Sequence, residues 1–461
     1  MHTEGMSDER VLPRVLGTWD GLAILIGRVI GTGIFLTAPT VAAAFSSAGP
    51  AILVWVVGAV LTLLGAMTYA ELAAARPRTG GAYIFLLEGY GRPIAFVSGW
   101  KDLLIGPAGV GALSLAFAGF FVDYFGVRWP EAWIAVATLM CLTTIAVLGT
   151  RYSALVMKVF TPLKLLTLFA IVGLGIFLLA PGWEHFANLG EFAAAKVQPP
   201  AEQPDFPSAF GLAIIGVIWT FGGWESMAVL GGEVRDPRKN LPRILIYTIL
   251  IVAAVYMVVN LTYIRALGVV GLGQTENAAR DIGTMMIGPG FGSLVTLMIL
   301  CSVFSGFNSN LLAGGRSIFA LANNGMTFSF LGARSQRFET PHNALIWRGL
   351  AGCGFVVLWP NFFDLLRFEI FAAVVFFILV GCSLFIFRWR GDDLPYRMPG
   401  YPWTPLVYIA LNVAILANEL SNRPWEGAII IGILLAGIPV YYLWSSAARW
   451  SARRRPEARN N

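Results

Sequence analysis

The chain has 461 residues, of which 57% are hydrophobic and 13% are charged. A soluble domain carries charges on roughly a quarter of its residues, so this composition excludes an ordinary water-soluble fold. The formal net charge is +6, but the Lys and Arg residues are dispersed over many short loops, which excludes a nucleic-acid-binding domain with one basic face.

Apolar runs long enough to cross a hydrocarbon core of ~30 Å, which takes about 20 helical residues, recur from Leu16 almost to Trp450. They predict an all-α integral membrane protein with about 12 transmembrane helices, numbered here as segments 1 to 12. Their approximate starts are Leu16, Pro50, Ile94, Glu131, Ala154, Ser208, Arg243, Thr284, Asn343, Asp364, Thr404 and Glu426.

The distribution of basic residues predicts the orientation of these segments, because cytoplasmic loops carry the excess of Lys and Arg. When the termini and the loops after even-numbered segments are placed on one side, that side receives most of the 32 Lys and Arg residues, Arg348 among them. Arg28, Lys101 and Lys164 remain inside segments. Both termini are therefore predicted to be cytoplasmic, and the short loops favour a bacterial inner membrane as the location.

The segments are predicted to form two five-helix halves followed by two further helices. No apolar signal core precedes Leu16, and the four cysteines lie within apolar runs, so we expect neither a cleaved signal nor disulfides. No metal site or cofactor is predicted. The predicted boundaries are 1–15 for a cytoplasmic tail, 16–181 for the first repeat, 182–207 for an extracellular loop, 208–390 for the second repeat, 391–450 for segments 11 and 12, and 451–461 for a basic cytoplasmic tail.

Segments 1 and 6 each contain glycines near their middle, and each glycine weakens a helix by roughly 1 kcal/mol relative to alanine. The glycines are Gly31 and Gly33 in segment 1 and Gly222 and Gly223 in segment 6. Interruptions at corresponding positions of two halves indicate an inverted-repeat transporter. Irregular backbone is costly in lipid unless it lines a cavity, so the two breaks are predicted to face each other.

The two breaks offer opposite main-chain chemistry. The half-helix that starts near Gly33 presents free amide groups and a positive dipole end, suited to a carboxylate, and the carbonyls around Trp219 to Phe221 suit an ammonium group. This pair of groups fits an α-amino acid, although glycines can also serve only close helix packing. The predicted substrate-binding residues are Ile30, Gly31, Thr32, Gly33 and Ile34 in segment 1 and Trp219, Thr220, Phe221, Gly222 and Gly223 in segment 6.

Two motifs at these breaks resemble the amino acid–polyamine–organocation transporters, including their L-type and arginine–agmatine branches. The motifs are Ile30–Phe35 and the stretch from Trp219 through Gly231–Arg243, with further similarity at Gly314–Gly325 and Thr340–Ala344. The resemblance implies the five-plus-five inverted repeat of the leucine-transporter type, with alternating access around a central site. It also matches Trp219 to the aromatic residue that closes over substrate, whereas ordinary core packing is the alternative for any single tryptophan.

Charged residues inside the membrane each need a partner or a purpose, because a charge at the bilayer centre costs at least ~2.5 kcal/mol. Lys164 looks like the lysine that occupies the place of a sodium ion in sodium-independent members of the family. From there its ammonium group could bridge the break in segment 1 and the hydroxyl of Ser305 or Ser309 in segment 8. The alternative is a lysine that extends to the cytoplasmic surface.

Glu225 directly follows the break in segment 6, which makes its carboxyl a candidate proton or gating switch. A static ion pair with Arg28 or Lys101 is the alternative. Arg28, one turn before Gly31, could bind a second carboxylate and favour an acidic amino acid, unless Glu225 or Asp102 pairs with it. Lys101 and its neighbour Asp102 are interpreted as structural.

The sequence therefore predicts secondary active transport of amino acids by alternating access, independent of sodium, with exchange and proton coupling both left open. A polyamine or organic-cation transporter and a non-transporting amino-acid-sensing receptor are the alternatives. An enzyme is not expected, because the chain has no phosphate-binding loop and its three histidines lie outside the segments. The expected partners are the amino acid and the lipid bilayer, without nucleic acid, and the oligomeric state is left open.

Overall fold

The computed structural model describes residues 14–78, 80–149, 160, 162–163, 166–171, 173, 175, 183–186, 189, 205–335, 337–338 and 340–453. Every regular element in these ranges is helical, and strand-like pairing is limited there to one bridge between Leu16 and Val234. The prediction of an all-α membrane protein is confirmed. The predicted boundaries of the two repeats stay predictions, because the end of the first repeat falls largely outside these ranges.

The described residues form the following α-helices, numbered in chain order. They are α1 (Thr18–Val29), α2 (Gly33–Ala43), α3 (Ala48–Ala75), α4 (Ala82–Tyr90), α5 (Arg92–Leu104), α6 (Gly106–Phe125), α7 (Glu131–Leu148), α8 (Phe206–Phe221), α9 (Ser226–Val229), α10 (Pro237–Gln274), α11 (Ala278–Met286), α12 (Pro289–Asn323), α13 (His342–Leu358), α14 (Phe362–Trp389), α15 (Trp403–Asn422) and α16 (Pro424–Arg453).

Nine helical spans in the described ranges are long and apolar enough to cross a membrane, and the bent pair α1 and α2 makes a tenth. The other two predicted segments are segment 5, which lies mostly outside these ranges, and segment 9, which corresponds to the 17-residue helix α13. The total of twelve therefore stays a prediction. α16 continues to Arg453, three residues past residue 450, where segment 12 was predicted to end.

Segment 7 starts at Pro237 rather than near Arg243, and two further segments also differ from the prediction. Segment 3 is divided at Ile105 into α5 and α6. The separate helix α4 precedes it and ends at Tyr90, before Gly91, where φ is +87°. Segment 8 starts at Pro289 rather than near Thr284, because Gly288 has a φ of +129° and separates α12 from the short helix α11. Such backbone angles are readily adopted by glycine and end a helix.

The packing of the helices creates two neighbouring groups. The most extensive helix contact is between α10 and α3, and α1, α2 and α8 also pack against one or both of them. α6 is surrounded by α7, α12, α13 and α14. The breaks in segments 1 and 6 belong to the first group. Two helices of the second group contact residues at these breaks: α12 lies next to Thr32, and α14 packs against Trp219.

A buried ion pair joins the end of α3 to the end of α14. Glu71 is fully buried, and the Arg388 guanidinium donates from Nε to Oε1 at 2.7 Å and from Nη2 to Oε2 at 2.9 Å. The backbone amide of Met398 also donates to Oε2, at 2.7 Å. A bidentate pair with an additional donor satisfies a carboxylate that would be costly to bury alone.

Candidate functional site

The break in segment 1 separates two half-helices that are bent by 48°. α1 ends at Val29, Ile30 is extended with ψ of 99°, and α2 starts at Gly33. The Phe35 amide donates to the Thr32 carbonyl at 3.1 Å. The first amides of a helix have no acceptor within it, so the start of α2 presents hydrogen-bond donors at this break.

The break in segment 6 is built differently. α8 ends at Phe221, and Gly223 has a φ of +98°, which a residue with a side chain adopts only with strain. The Gly223 amide donates to Oε2 of Glu225 at 3.0 Å, and the Ser226 hydroxyl donates to the Gly223 carbonyl at 2.5 Å. The polar groups of this break are therefore bonded by side chains that directly follow it.

The two breaks lie against each other, as the sequence predicted. A methyl group at Gly33 would lie 2.7 Å from Oγ1 and 2.8 Å from Cα of Thr220, so only glycine permits this approach. The Thr220 hydroxyl lies 2.8 Å from the hydroxyl of Thr37 in α2. Close packing is thus one role of Gly33, whereas the nearest atom to a methyl group at Gly31 is the Val29 carbonyl oxygen at 3.7 Å.

Tyr256 of α10 joins the two breaks and was not predicted. Its hydroxyl lies 2.8 Å from the carbonyl oxygen of Val29 and 3.2 Å from that of Thr220, and its side chain is buried. Both carbonyls belong to the last turn of the helix that precedes a break. A tyrosine buried in an apolar segment usually needs a hydrogen-bond partner, which is the signal that could have identified it.

Two of the carbonyls predicted to bind an ammonium group already accept a hydrogen bond. The Trp219 carbonyl accepts from the Gly222 amide at 2.9 Å, and the Thr220 carbonyl faces Tyr256. A carbonyl oxygen has two lone pairs, so each retains capacity for a further donor. The Trp219 ring is half-buried and packs edge-on against Phe362 at the start of α14, with centroids 5.4 Å apart.

The apolar members of the predicted site lie in the core. Ile30, Ile34 and Phe221 are at most 4% exposed, and the Phe221 ring packs against Trp55 and Tyr256. Their side chains hold the breaks in place, so any contact with a ligand at these positions is made by the main chain. Thr32 is also buried, at 4% exposure.

Arg28 is exposed beside the break in segment 6. A methyl group at Gly223 would lie 3.3 Å from its Cγ atom. The alternative ion pairs of Arg28 with Glu225 or Asp102 are not found among the described residues, where Glu225 accepts from the Gly223 amide and Asp102 lies 2.9 Å from Lys101. The alternative pair of Glu225 with Lys101 is not found among them either.

The residues predicted on segment 8 lie next to the break in segment 1. Ser305 is buried and Ser309 is half-buried on α12. A methyl group at Gly306, which follows Ser305, would lie 3.3 Å from the Thr32 hydroxyl. Lys164 lies outside the described residues, so its predicted bridge to these hydroxyls stays a prediction.

Four ionisable side chains on α5, α13 and α14 form a membrane-embedded charge cluster. Arg348, predicted to lie in a cytoplasmic loop, is instead inside α13 and only 4% exposed. The error arose because an arginine near the start of a segment was counted with the preceding loop. The cluster consists of Lys101 and Asp102 on α5, Arg348 on α13 and Glu369 on α14.

Comparison with known proteins identifies the family of this chain. A family model for amino acid permeases matches residues 16–446. The chain belongs to the amino acid permease family. This permease is 31% identical to the serine/threonine exchanger SteT of Bacillus subtilis, over 96% of the chain and 98% of that protein.

Two mammalian relatives are also similar. The human b(0,+)-type amino acid transporter 1 is 28% identical, over 94% of the permease and 88% of the relative. The mouse large neutral amino acids transporter small subunit 2 is 27% identical, over 94% of the permease and 81% of the relative. The resemblance seen in the sequence is confirmed, and the permease is a multi-pass membrane protein from a family of amino-acid transporters.

Proposed function

We propose that this permease exchanges amino acids across a bacterial plasma membrane by alternating access, without sodium and with both termini in the cytoplasm. The observation that carries the proposal is the meeting of two helix breaks, joined by the Tyr256 hydroxyl and in contact at Gly33 and Thr220. Exchange is favoured because the similar SteT protein is named an exchanger.

The substrate's α-carboxylate binds the amides at the start of α2. Its ammonium group binds the carbonyls at the end of α8, where Trp219, Thr220 and Phe221 lie. The helix dipoles support this orientation, since the N-terminal end of a helix attracts an anion and the C-terminal end a cation. The residues Ile30–Ile34 and Trp219–Gly223 thus act through their main chain, apart from Trp219.

Trp219 closes over the bound amino acid by moving against Phe362, the residue that it already contacts. Arg28, which lies next to Gly223, contacts the substrate side chain. Lys164 takes the place of a sodium ion, together with Ser305 and Ser309. Glu225 holds the break in segment 6 open through its bond to the Gly223 amide.

Reconstitution in liposomes tests this proposal. Uptake of each of a panel of radiolabelled amino acids is measured without sodium, with and without unlabelled amino acid inside. We expect uptake that requires internal amino acid and is lost in Trp219→Ala. Trp403→Ala is the matched control, because Trp403 is 72% exposed on α15 and should leave uptake unchanged.

Three outcomes contradict the proposal. Saturable binding without uptake by a monodisperse, folded protein would indicate a receptor. Uptake of polyamines but not of amino acids would indicate an organic-cation transporter. Uptake that requires a sodium gradient would contradict the role proposed for Lys164.

A further inference from the structure

The membrane-embedded charge cluster lies where α5, α6, α12, α13 and α14 meet, and only part of it is paired. Lys101 Nζ lies 2.9 Å from Asp102 Oδ1, and the Ser317 hydroxyl donates to Asp102 Oδ2 at 2.9 Å. Arg348 Nη2 donates to Asn310 Oδ1 at 2.7 Å. Two cations and one carboxylate of the cluster therefore have direct partners.

Glu369 is the unpaired member. Its carboxylate makes no hydrogen bond and no ion pair within the described part of the chain. The carboxylate packs directly on Gly109 of α6, where any side chain would overlap it. Glu369 is half-buried, and no donor among the described residues compensates the partial desolvation of its carboxylate.

Arg348 carries the complementary unpaired group. Arg348 is only 4% exposed, and its buried Nε atom has no acceptor among the described residues. The guanidinium packs on Gly314 of α12, and a methyl group at Gly106 would lie 3.0 Å from Nη1. Arg348 and Glu369 are close enough to interact electrostatically, but their charged atoms are not within ion-pair distance.

The carboxylates of this region differ in what satisfies them. The charged groups near Glu369 among the described residues are Arg348, Lys101, Asp102 and Glu225. Asp102 pairs with Lys101 and Glu225 accepts from the Gly223 amide, so Glu369 is the carboxylate without a direct donor. The low dielectric of the membrane makes such a charge costly, and binding of a single proton removes it.

Glu369 also has a direct structural connection to the proposed gate. It lies seven residues after Phe362 on α14, hence on the same face of the helix and about 10.5 Å further along its axis. Phe362 is the residue against which Trp219 packs. A displacement of α14 towards or away from α13 therefore moves both Glu369 and the ring that Trp219 contacts.

We propose that Glu369 is a proton-binding site that controls movement of α14 during transport. Deprotonated Glu369 accepts hydrogen bonds from Nε and Nη1 of Arg348 and holds α14 against α13. A proton taken from water neutralises Glu369, breaks that ion pair and releases α14, and the proton returns to water when the pair forms again. This inference rests on the proposed exchange function, and it predicts faster transport at lower pH.

The test is the pH dependence of amino-acid exchange in proteoliposomes, with equal pH on both sides. We expect wild-type exchange to increase several-fold from alkaline to acidic pH. Glu369→Gln mimics the protonated form, so its exchange should be fast at every pH. Glu369→Asp retains an ionisable group and should retain a pH dependence with a displaced midpoint.

Glu419→Gln is the matched control. Glu419 on α15 is 5% exposed, its Oε2 atom has no partner in the described part of the chain, and it lines a separate cavity with Arg367 and Arg423. Arg367 lies about 200° around α14 from Glu369, on the opposite face. This variant should keep the wild-type pH profile.

The outcomes are distinguishable. Wild-type exchange that does not change with pH, or a pH dependence that persists in Glu369→Gln, overturns the assignment of Glu369 and leaves the proposed function intact. No exchange by the wild type at any pH overturns both. If Glu369→Gln is folded but inactive, substrate binding replaces exchange as the readout: pH-independent binding supports the proposal, and a wild-type binding profile contradicts it.

Discussion

The break in segment 1 and the break in segment 6 differ in what they leave available. Beyond the first break, the 11-residue helix α2 begins with amides that have no acceptor within the helix. Beyond the second, only the four-residue helix α9 follows, and the amide and carbonyl of Gly223 are bonded to Glu225 and Ser226. Two similar glycine motifs therefore produce one break with open donors and one whose polar groups are largely satisfied locally.

In the proposed site, this difference places hydrogen-bond donors at one break and acceptors at the other, so that each charged group of an α-amino acid has its own break. The donors lie where the chain enters α2, and the remaining acceptors lie where it leaves α8. A bound zwitterion then has one favoured orientation, because its reversal would place the carboxylate against carbonyl oxygens. The predictions that follow test each side of this asymmetry, from the largest expected effect to the smallest.

Gly33→Ala should abolish transport and destabilise the protein by about 3 kcal/mol, because overpacking at this contact cannot be relieved by a side-chain movement. The added methyl group would lie 2.8 Å from the Thr220 Cα atom. Thermal unfolding in detergent measures the loss. Gly31→Ala is the control, with its nearest neighbour at 3.7 Å, and equal destabilisation by both changes would contradict the geometry.

Glu225→Ala should destabilise the break in segment 6 by about 2 kcal/mol, because the Gly223 amide loses a charged acceptor. Glu225→Gln keeps an acceptor oxygen and should lose less than half as much. The two variants are compared by thermal unfolding. If both behave like the wild type, the hydrogen bond at 3.0 Å does not hold this break in solution.

Tyr256→Phe should cost about 1 kcal/mol, because the Val29 and Thr220 carbonyls lose their shared donor. It should also raise the substrate concentration needed for half-maximal uptake, since both breaks lose alignment. Tyr263→Phe is the control: Tyr263 is equally buried on α10, and its hydroxyl has no partner in the described ranges. The control should be neutral or slightly stabilising.

Arg28→Gln should change stability by less than about 0.5 kcal/mol, because Arg28 is exposed and forms no ion pair with a described residue. Its effect should appear in substrate preference. Competition uptake with acidic and neutral amino acids measures it, and the variant should lose affinity for the acidic ones. An unchanged preference would remove Arg28 from the proposed site.

The sequence was sufficient to predict both breaks, because the signal is local: paired glycines within an apolar run. It was also sufficient for the all-α fold and the family. Tyr256 was missed because its partner Val29 is 227 residues away and nothing near Tyr256 indicates the contact. The break at Ile105 has a local signal, since Gly106 and Pro107 follow it directly, and this signal was not used.

The embedded charges were harder to predict for the same reason. Glu369 has no charged neighbour in sequence that explains its burial, apart from Arg367, which faces the other side of α14. Its environment comes from α5, α6 and α13, and the spacing between those segments contains no information about their contacts. Arg348 shows the same limit, since a loop and a buried position differ there only by tertiary packing.

The ion pair between Glu71 and Arg388 has a consequence for biogenesis. The two residues are separated by 317 positions, so at about 5–20 residues per second the ribosome needs roughly 15–60 s to supply the arginine after the glutamate. Without that partner, a carboxylate in hydrocarbon costs about 2.5 kcal/mol or more. We therefore expect the end of α3 to stay at the membrane surface until α14 is inserted, so that its final depth is set late in synthesis.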